Sequence, residues 1–177
     1  AALGADPARS AASLTDWMPY QGRGARETLS LPGGGTLVLL DDSYNANPAS
    51  MAAALDVLVA VPAGQGRRVA ILGDMKELGP EAEALHAALS DHPAMQSIDE
   101  VHCIGPLMQA LYAALPARRR GLQVADSATL AQQLPERLKS GDIVLAKGSL
   151  SMKLALIVDA IRKMGQGGPV QSPQDHE

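Results

Sequence analysis

A doubly wound, mostly parallel α/β sheet of Rossmann-like type, entered through an N-terminal β-hairpin, is the fold class this sequence predicts. Three observations predict it. Short aliphatic runs ending in Gly or Asp occur at Leu37 to Asp42, Arg68 to Asp74, Val101 to Gly105 and Asp142 to Gly148, with a weaker fifth at Leu122 to Asp126. Stretches of helical periodicity separate them. The runs are continuous rather than alternating, as expected of parallel strands buried on both faces. Strand then helix, repeated about five times, places helices on both sides of one sheet.

The elements follow in chain order. Thr28 to Leu31, Pro32-Gly33-Gly34-Gly35 and Thr36 to Leu40 read as the hairpin, the glycines supplying the positive-φ turn. A phosphate loop would instead follow a strand and open a helix, so these glycines are not one. After Leu37 to Asp42, Pro48 opens a helix over Ser50 to Ala60. Arg68 to Asp74 leads to a helix over Glu81 to Leu89, and Val101 to Gly105 to one over Leu107 to Leu115, with Gly121 as its stop. Leu122 to Asp126 precedes Ala128 to Leu138, with Ser127 as cap and Gly141 as stop. Asp142 to Gly148 precedes the last helix, Ser151 to Met164.

The ends differ. Residues 1–20 hold a short Ala-rich helical stretch and then Trp17 and Pro19, without a strand, and read as the tail of a preceding domain. Residues 21–164 form the α/β domain, and 165–177 read as a flexible polar terminus.

Composition narrows the function. The 177 residues suit one domain, and 46% hydrophobic with 19% charged residues exclude a disordered chain. Net charge −4 gives no footprint for nucleic acid, and with no Phe there is no aromatic platform for stacking bases. Arg118, Arg119 and Arg120 read as a solvated helix end. Cys103 is the single cysteine, read as a buried strand residue, so neither a disulfide framework nor a cysteine zinc cluster forms. Lys153, Asp159 and Arg162 interrupt the best membrane-span candidate, and Asp6 and Arg9 stand where a signal peptide is apolar; the expected compartment is the cytoplasm.

Ligands of open α/β sheets bind beyond the carboxyl ends of the strands. Three loops there are unusual. Asp41-Asp42-Ser43-Tyr44-Asn45-Ala46-Asn47-Pro48 crowds carboxylates, a hydroxyl and amides into a strand-to-helix turn, more than capping alone requires. Gly73-Asp74-Met75-Lys76-Glu77-Leu78-Gly79 could reach a ribose or a metal-bound phosphate, or be an ordinary loop, with His86 following on a helix, packed or functional. Lys147-Gly148-Ser149-Leu150-Ser151 suits an anionic group or a helix cap. No Walker-type or dinucleotide-type glycine loop occurs, so a domain of this kind that uses ATP relies on another for the phosphates.

The string Asp41 to Pro48, with Gly22-Arg23-Gly24 before it, Leu72-Gly73-Asp74-Met75, Glu77-Leu78-Gly79 and His86 after it, and Lys147-Gly148-Ser149 near the end, resembles the C-terminal domain of the D-alanyl-D-alanine-adding Mur ligases over roughly residues 20 to 162. The resemblance implies an ATP-dependent ligase of three domains. On this reading residues 1–20 are the tail of the central ATPase domain, which holds most of the phosphate contacts of ATP and Mg²⁺. It implies nucleotide contacts at Arg23, Asp42, Tyr44, Asn45 and Asn47. Asp74, Lys76, Glu77, His86, Lys147 and Ser149 would face the substrate side, with Lys147 and Ser149 suited to a carboxylate. Partners implied are D-alanyl-D-alanine, UDP-N-acetylmuramoyl-tripeptide and the central domain, with no catalytic residue and no metal site in this segment alone. Leu150 departs from the pattern, since relatives often carry arginine there, which weakens a bidentate carboxylate clamp. Two other readings compete: a free-standing regulatory domain binding a nucleotide or small acid, and a related Mur or folylpolyglutamate-type amide ligase with another nucleophile.

Overall fold

The computed structural model describes residues 22–166. The expected tail over residues 1–20 and all but the first two residues of the expected flexible terminus lie outside the described residues. In order, the elements are β1 (Ala25–Ser30), β2 (Thr36–Asp42), α1 (Pro48–Ala60), β3 (Arg68–Gly73), α2 (Ala82–Ala87), β4 (Glu100–Ile104), α3 (Met108–Ala114), β5 (Arg120–Val124), α4 (Ser127–Gln133), β6 (Ile143–Lys147) and α5 (Ala155–Gln166). Short 3-10 turns flank several helices. The strands form one sheet in the order β1-β2-β6-β3-β4-β5. β1 pairs antiparallel with β2 and the rest are parallel, as the sequence predicts.

Strand period sorts the core into two layers. Leu40, Leu72, Val101 and Leu145 face Met51, Leu55 and Leu58 of α1 and Met108 and Leu111 of α3. Leu37, Leu39, Val69, Ile71 and Val144 face Leu130 of α4 and Ile157, Val158 and Ile161 of α5. Both faces are covered, which is why the strands read as unbroken apolar runs. Cys103 is fully buried, and burial pushes its thiol up to about 12.

The connection from β2 through α1 passes over β6 to reach β3, while the return from β5 through α4 inserts β6 between them. Adjacent β2 and β6 therefore send their chains to opposite faces. A crevice opens between such strands at their carboxyl ends.

Several boundaries differ from the sequence expectation. α2 has true helical form only over Ala82–Ala87, with 3-10 turns at Gly79–Glu81 and Ala88–Asp91. α4 gives way to a 3-10 turn at Leu134–Glu136, which contains Pro135. α5 starts four residues later than expected, because Lys153 adopts φ 55° after the 3-10 turn Leu150–Met152; it then runs past Met164 to Gln166. Ser127 is not the cap: Asp126 accepts the Thr129 N–H at 2.8 Å, while the Ser127 hydroxyl donates to the Met152 carbonyl at 2.6 Å. Gly121 does not stop α3, which ends before Pro116. It lies inside β5, where a Cβ would come 2.5 Å from His102 Nδ1. Arg119 and Arg120 donate to the carbonyls of Gln96, Leu115 and Ala113, satisfying chain ends around α3 and the turn before β4.

His102 is fully buried; its Nδ1 accepts the Leu122 N–H at 2.9 Å, and its Nε2 lies 3.5 Å from Glu100 with no hydrogen-bond partner among the described residues. Burial lowers its pKa from 6.5 to about 4, against the opposing pull of Glu100. The folded state thus holds the neutral ring, and its contribution is complete above pH 6.5 and lost as pH falls from there through about 4. Urea denaturation across that window should show stability falling with pH, and His102→Gln should flatten that segment of the profile.

Candidate functional site

β2 ends in two aspartates, and strand period turns them to opposite faces. Asp41 lies on the face of Leu37 and Leu39, toward α5; Asp42 lies on the α1 face. In the parallel register Asp42 stands opposite Lys147, the last residue of β6. Lys147 is 2% exposed, and its Nζ donates to Asp42 Oδ2 at 2.6 Å and to the Asn45 carbonyl at 2.9 Å. The ammonium so placed satisfies a carboxylate and a loop carbonyl together, the condition for a tolerable buried charge. Asp42 Oδ1 takes no hydrogen bond from the described residues, and Asp42 lines the crevice.

The loop after β2 carries its own supports. Asn47 caps α1 by accepting the Ser50 N–H at 2.9 Å, while the Ser50 hydroxyl oxygen accepts the Asn47 N–H at 3.0 Å, and Pro48 is the first helical residue. Asn45 Oδ1 accepts the Ala46 N–H at 2.9 Å, leaving its amide as a donor. Tyr44 is 44% exposed, and the Arg23 guanidinium lies 4.1 Å from its ring centroid. Arg23, Asp42, Tyr44, Asn45, Asn47 and Lys147 line one cleft of about 260 Å³. All the residues expected on the nucleotide side therefore converge, and Lys147, expected on the acceptor side, joins them. Its cation is already committed to Asp42, so it is a support of this cleft and not a free clamp for a carboxylate.

A second cleft of about 700 Å³ shares the wall Tyr44 to Asn47 and is completed by Lys76, Glu77, Leu78, Ser149, Leu150 and Ser151. Ser149 Oγ accepts the Lys76 N–H at 2.9 Å, and the Ser149 N–H donates to the Asp74 carbonyl at 3.1 Å, so the loops after β3 and β6 are knitted together. Glu77 holds φ 64°, a left-handed backbone uncommon for a residue with a side chain. Leu150 is 61% exposed, and the cation among the residues lining this cleft is Lys76.

Two expected substrate residues take other places. Asp74 is fully buried; Oδ1 accepts the Met108 N–H at 2.9 Å and Oδ2 the Lys76 Nζ at 2.8 Å, so it braces the tip of β3 against the start of α3. His86 is fully buried, its Nε2 accepting the Met75 N–H at 2.9 Å and its Nδ1 paired with the Ala82 carbonyl at 2.6 Å. Those bonds place the proton on Nδ1, which anchors the ring to its own helix, and leave Nε2 to hold the β3 loop at Met75. Neither side chain lines the two clefts. His86→Ala strands a buried N–H and opens a cavity, and should cost about 2–3 kcal/mol in urea denaturation. Asp41, which the sequence places in the unusual loop without a role of its own, and Arg162, to which it gives no role at the site, brace the loop from the opposite face, and the sequence signal for this is the parity of the Asp41-Asp42 pair.

The crevice opens at the carboxyl ends of β2 and β6, where open α/β sheets place their ligand sites. Residues 27–150 match the family model described as Mur ligase, glutamate ligase domain. The chain belongs to the Mur ligase family. It is 37% identical over 130 residues to the UDP-N-acetylmuramoyl-tripeptide--D-alanyl-D-alanine ligase of Escherichia coli (strain K12), covering 72% of this chain and 27% of that one. It is 35% identical over 131 residues to the ligase of the same name from Treponema pallidum (strain Nichols), covering 72% and 28%. Crystal structure II of MurF from Acinetobacter baumannii superposes with TM-score 0.71 at 25% identity over 89% of this chain and 34% of that one. The MurF ligase from Thermotoga maritima in complex with ADP shares the fold, with TM-score 0.70 at 24% identity over 86% and 33%. The chain thus spans about a third or less of the relatives it matches.

No helix among the described residues is long and apolar enough to cross a membrane. Among the same residues no group of three or more His, Cys, Asp or Glu side chains is placed to hold a metal ion. Asp42 is the one carboxylate lining its cleft and is tied to Lys147, an arrangement that does not fit a magnesium ion there.

Proposed function

We propose that this chain is the C-terminal domain of a cytoplasmic, ATP-dependent ligase that joins D-alanyl-D-alanine to UDP-N-acetylmuramoyl-tripeptide in peptidoglycan synthesis. Residues 21–164 form the domain, residues 1–20 the end of the central ATPase domain, and the remainder a polar tail. The observation that carries the reading is the Lys147-Asp42 pair with Arg23, Tyr44, Asn45 and Asn47 on one cleft, adjoining a second cleft across a shared wall. The names of the relatives specify this acceptor and favour it over other amide ligases and over a free-standing regulatory domain.

In the reaction, the tripeptide carboxylate attacks the γ-phosphorus of ATP, releasing ADP and forming an acyl phosphate. The dipeptide amine then attacks the acyl carbon, phosphate leaves, and the nitrogen gives up a proton as the amide forms. This domain supplies little bond-making chemistry; it positions. Asp42 Oδ1 accepts from ribose hydroxyls, Tyr44 and the Asn45 amide flank the base, and Arg23 extends a cation toward the phosphates. The second cleft takes the dipeptide, with Ser149 and Lys76, whose Nζ bonds Asp74 but whose side chain, unlike that of Lys147, is exposed, on its carboxylate side and Glu77 available to its ammonium end.

The test is phosphate release from ATP by the full-length ligase carrying these residues, with UDP-linked tripeptide and D-alanyl-D-alanine, diaminopimelate, lysine or glutamate as acceptor. Release stimulated only by D-alanyl-D-alanine is expected; stimulation by another acceptor would overturn the acceptor assignment.

A further inference from the structure

We propose that Arg162 is a positioning residue for the nucleotide side of the site, acting through Asp41 on the turn that presents Arg23. The inference rests on the nucleotide reading of that cleft. Arg162 does not line the cleft; it borders a separate cavity behind Tyr44, together with Gly22, Asp41, Ser43 and Asp159. Its effect on nucleotide is therefore indirect.

The connection is a chain of hydrogen bonds. Asp41 is 1% exposed. Its Oδ2 accepts Arg162 Nη2 at 3.0 Å and the Gly22 N–H at 3.2 Å, and its Oδ1 accepts the Ser43 hydroxyl at 2.6 Å and the Ser43 N–H at 3.3 Å. The backbone closes the turn on the same residue: Gly24 N–H donates to the Asp41 carbonyl at 2.8 Å, and Tyr44 N–H to the Gly22 carbonyl at 2.9 Å. Gly22 and Gly24 hold φ 79° and 81°, so the turn that carries Arg23 is left-handed on both sides of it. Arg23 is itself exposed and held over Tyr44 by its ring contact alone among the described residues. Besides those two backbone bonds, the turn's side-chain tie among the described residues is the Asp41 carboxylate, and what holds that carboxylate from outside the loop is Arg162.

The other edge of the guanidinium anchors to the hairpin. Arg162 Nε donates to Glu27 Oε2 at 3.0 Å, Nη2 reaches Glu27 Oε1, and Nη1 lies 3.7 Å from Asp159. These partners raise the Arg162 pKa and the Glu27 carboxyl falls below its ordinary value, so both stay charged over the working pH range. One planar fork spans β1, the tip of β2 and the turn, a geometry lysine cannot reproduce.

The experiment measures steady-state kinetics of the full-length ligase with Arg162→Met, Arg162→Lys, Arg23→Ala and the double variant Arg23→Ala/Arg162→Met. The expected result is a rise in KM for ATP of about tenfold for Arg162→Met and somewhat less for Arg162→Lys, with KM for tripeptide and dipeptide changed less than about twofold. In the Arg23→Ala background the Arg162 substitution should add less than about twofold, because the group it positions is gone. Equal loss toward all three substrates, full additivity with Arg23→Ala, or an unchanged KM for ATP would overturn the proposal. Arg162→Lys keeps the test readable if the methionine variant does not fold. Wild-type enzyme showing no ATP-dependent ligation would instead sink the nucleotide reading itself, a distinct outcome.

Discussion

Lys147→Met in the full-length ligase is expected to lower kcat/KM for ATP by about 100-fold and to destabilise the domain by about 3 kcal/mol. Both effects come from one geometry. The ammonium is 2% exposed and serves Asp42 Oδ2 and the Asn45 carbonyl. Removing it leaves a partly buried carboxylate and a loop carbonyl facing an apolar side chain, the situation in which a broken buried pair costs most. Asp42 then turns toward water, and the loop from Asn45 loses its tie to β6. A free clamp for the dipeptide carboxylate, the role the sequence suggests for Lys147, would produce a different signature: a raised KM for D-alanyl-D-alanine with stability and KM for ATP intact. Urea denaturation together with KM for each substrate separates the two.

Asp42 should respond differently to two substitutions. Asp42→Asn keeps an oxygen for Lys147, and is expected to lower kcat/KM for ATP about 10- to 30-fold with stability within about 1 kcal/mol of the parent. Asp42→Ala leaves the Lys147 cation buried and unpaired, and should cost about 2–3 kcal/mol of stability in addition to a larger kinetic loss. Asp42→Ala is therefore not a purely functional deletion, because it also strands Lys147. Equal stability of the two variants would show that Lys147 finds another partner.

Much of this was legible in the residues because it depends on local rules. Buried parallel strands have a composition of their own, and the Pro32 to Gly35 turn, Pro48 at the first turn of α1 and the cap at Asn47 follow from backbone chemistry within a few positions. What escaped depends on partners far along the chain. Ser127 and Asp126 are both competent caps, and the choice is settled by the Met152 carbonyl, which takes the serine hydroxyl. Gly121 looked like a helix stop, but it is small because His102 packs against it from β4. The start of α5 moved because Lys153 turns left-handed. At the site, residue types were readable and their assignments were not. Lys147 meets Asp42 only through the register of β6 on β2, and His86 and Asp74 are committed by the way α2 and α3 pack over the β3 loop. Polar residues in one loop can line a cleft or hold it in place, and distance along the chain does not distinguish the two.

The division of labour between the two clefts is the central claim, and hydrogen exchange of the full-length ligase tests it most directly. Backbone amides of residues 41–47 should gain protection on adding a non-hydrolysable ATP analogue with UDP-linked tripeptide. Residues 74–79 and 149–151 should gain it only when D-alanyl-D-alanine is also present. Protection of residues 41–43, which lie off the shared wall, by the dipeptide alone, or none over 41–47 with nucleotide, would contradict the assignment.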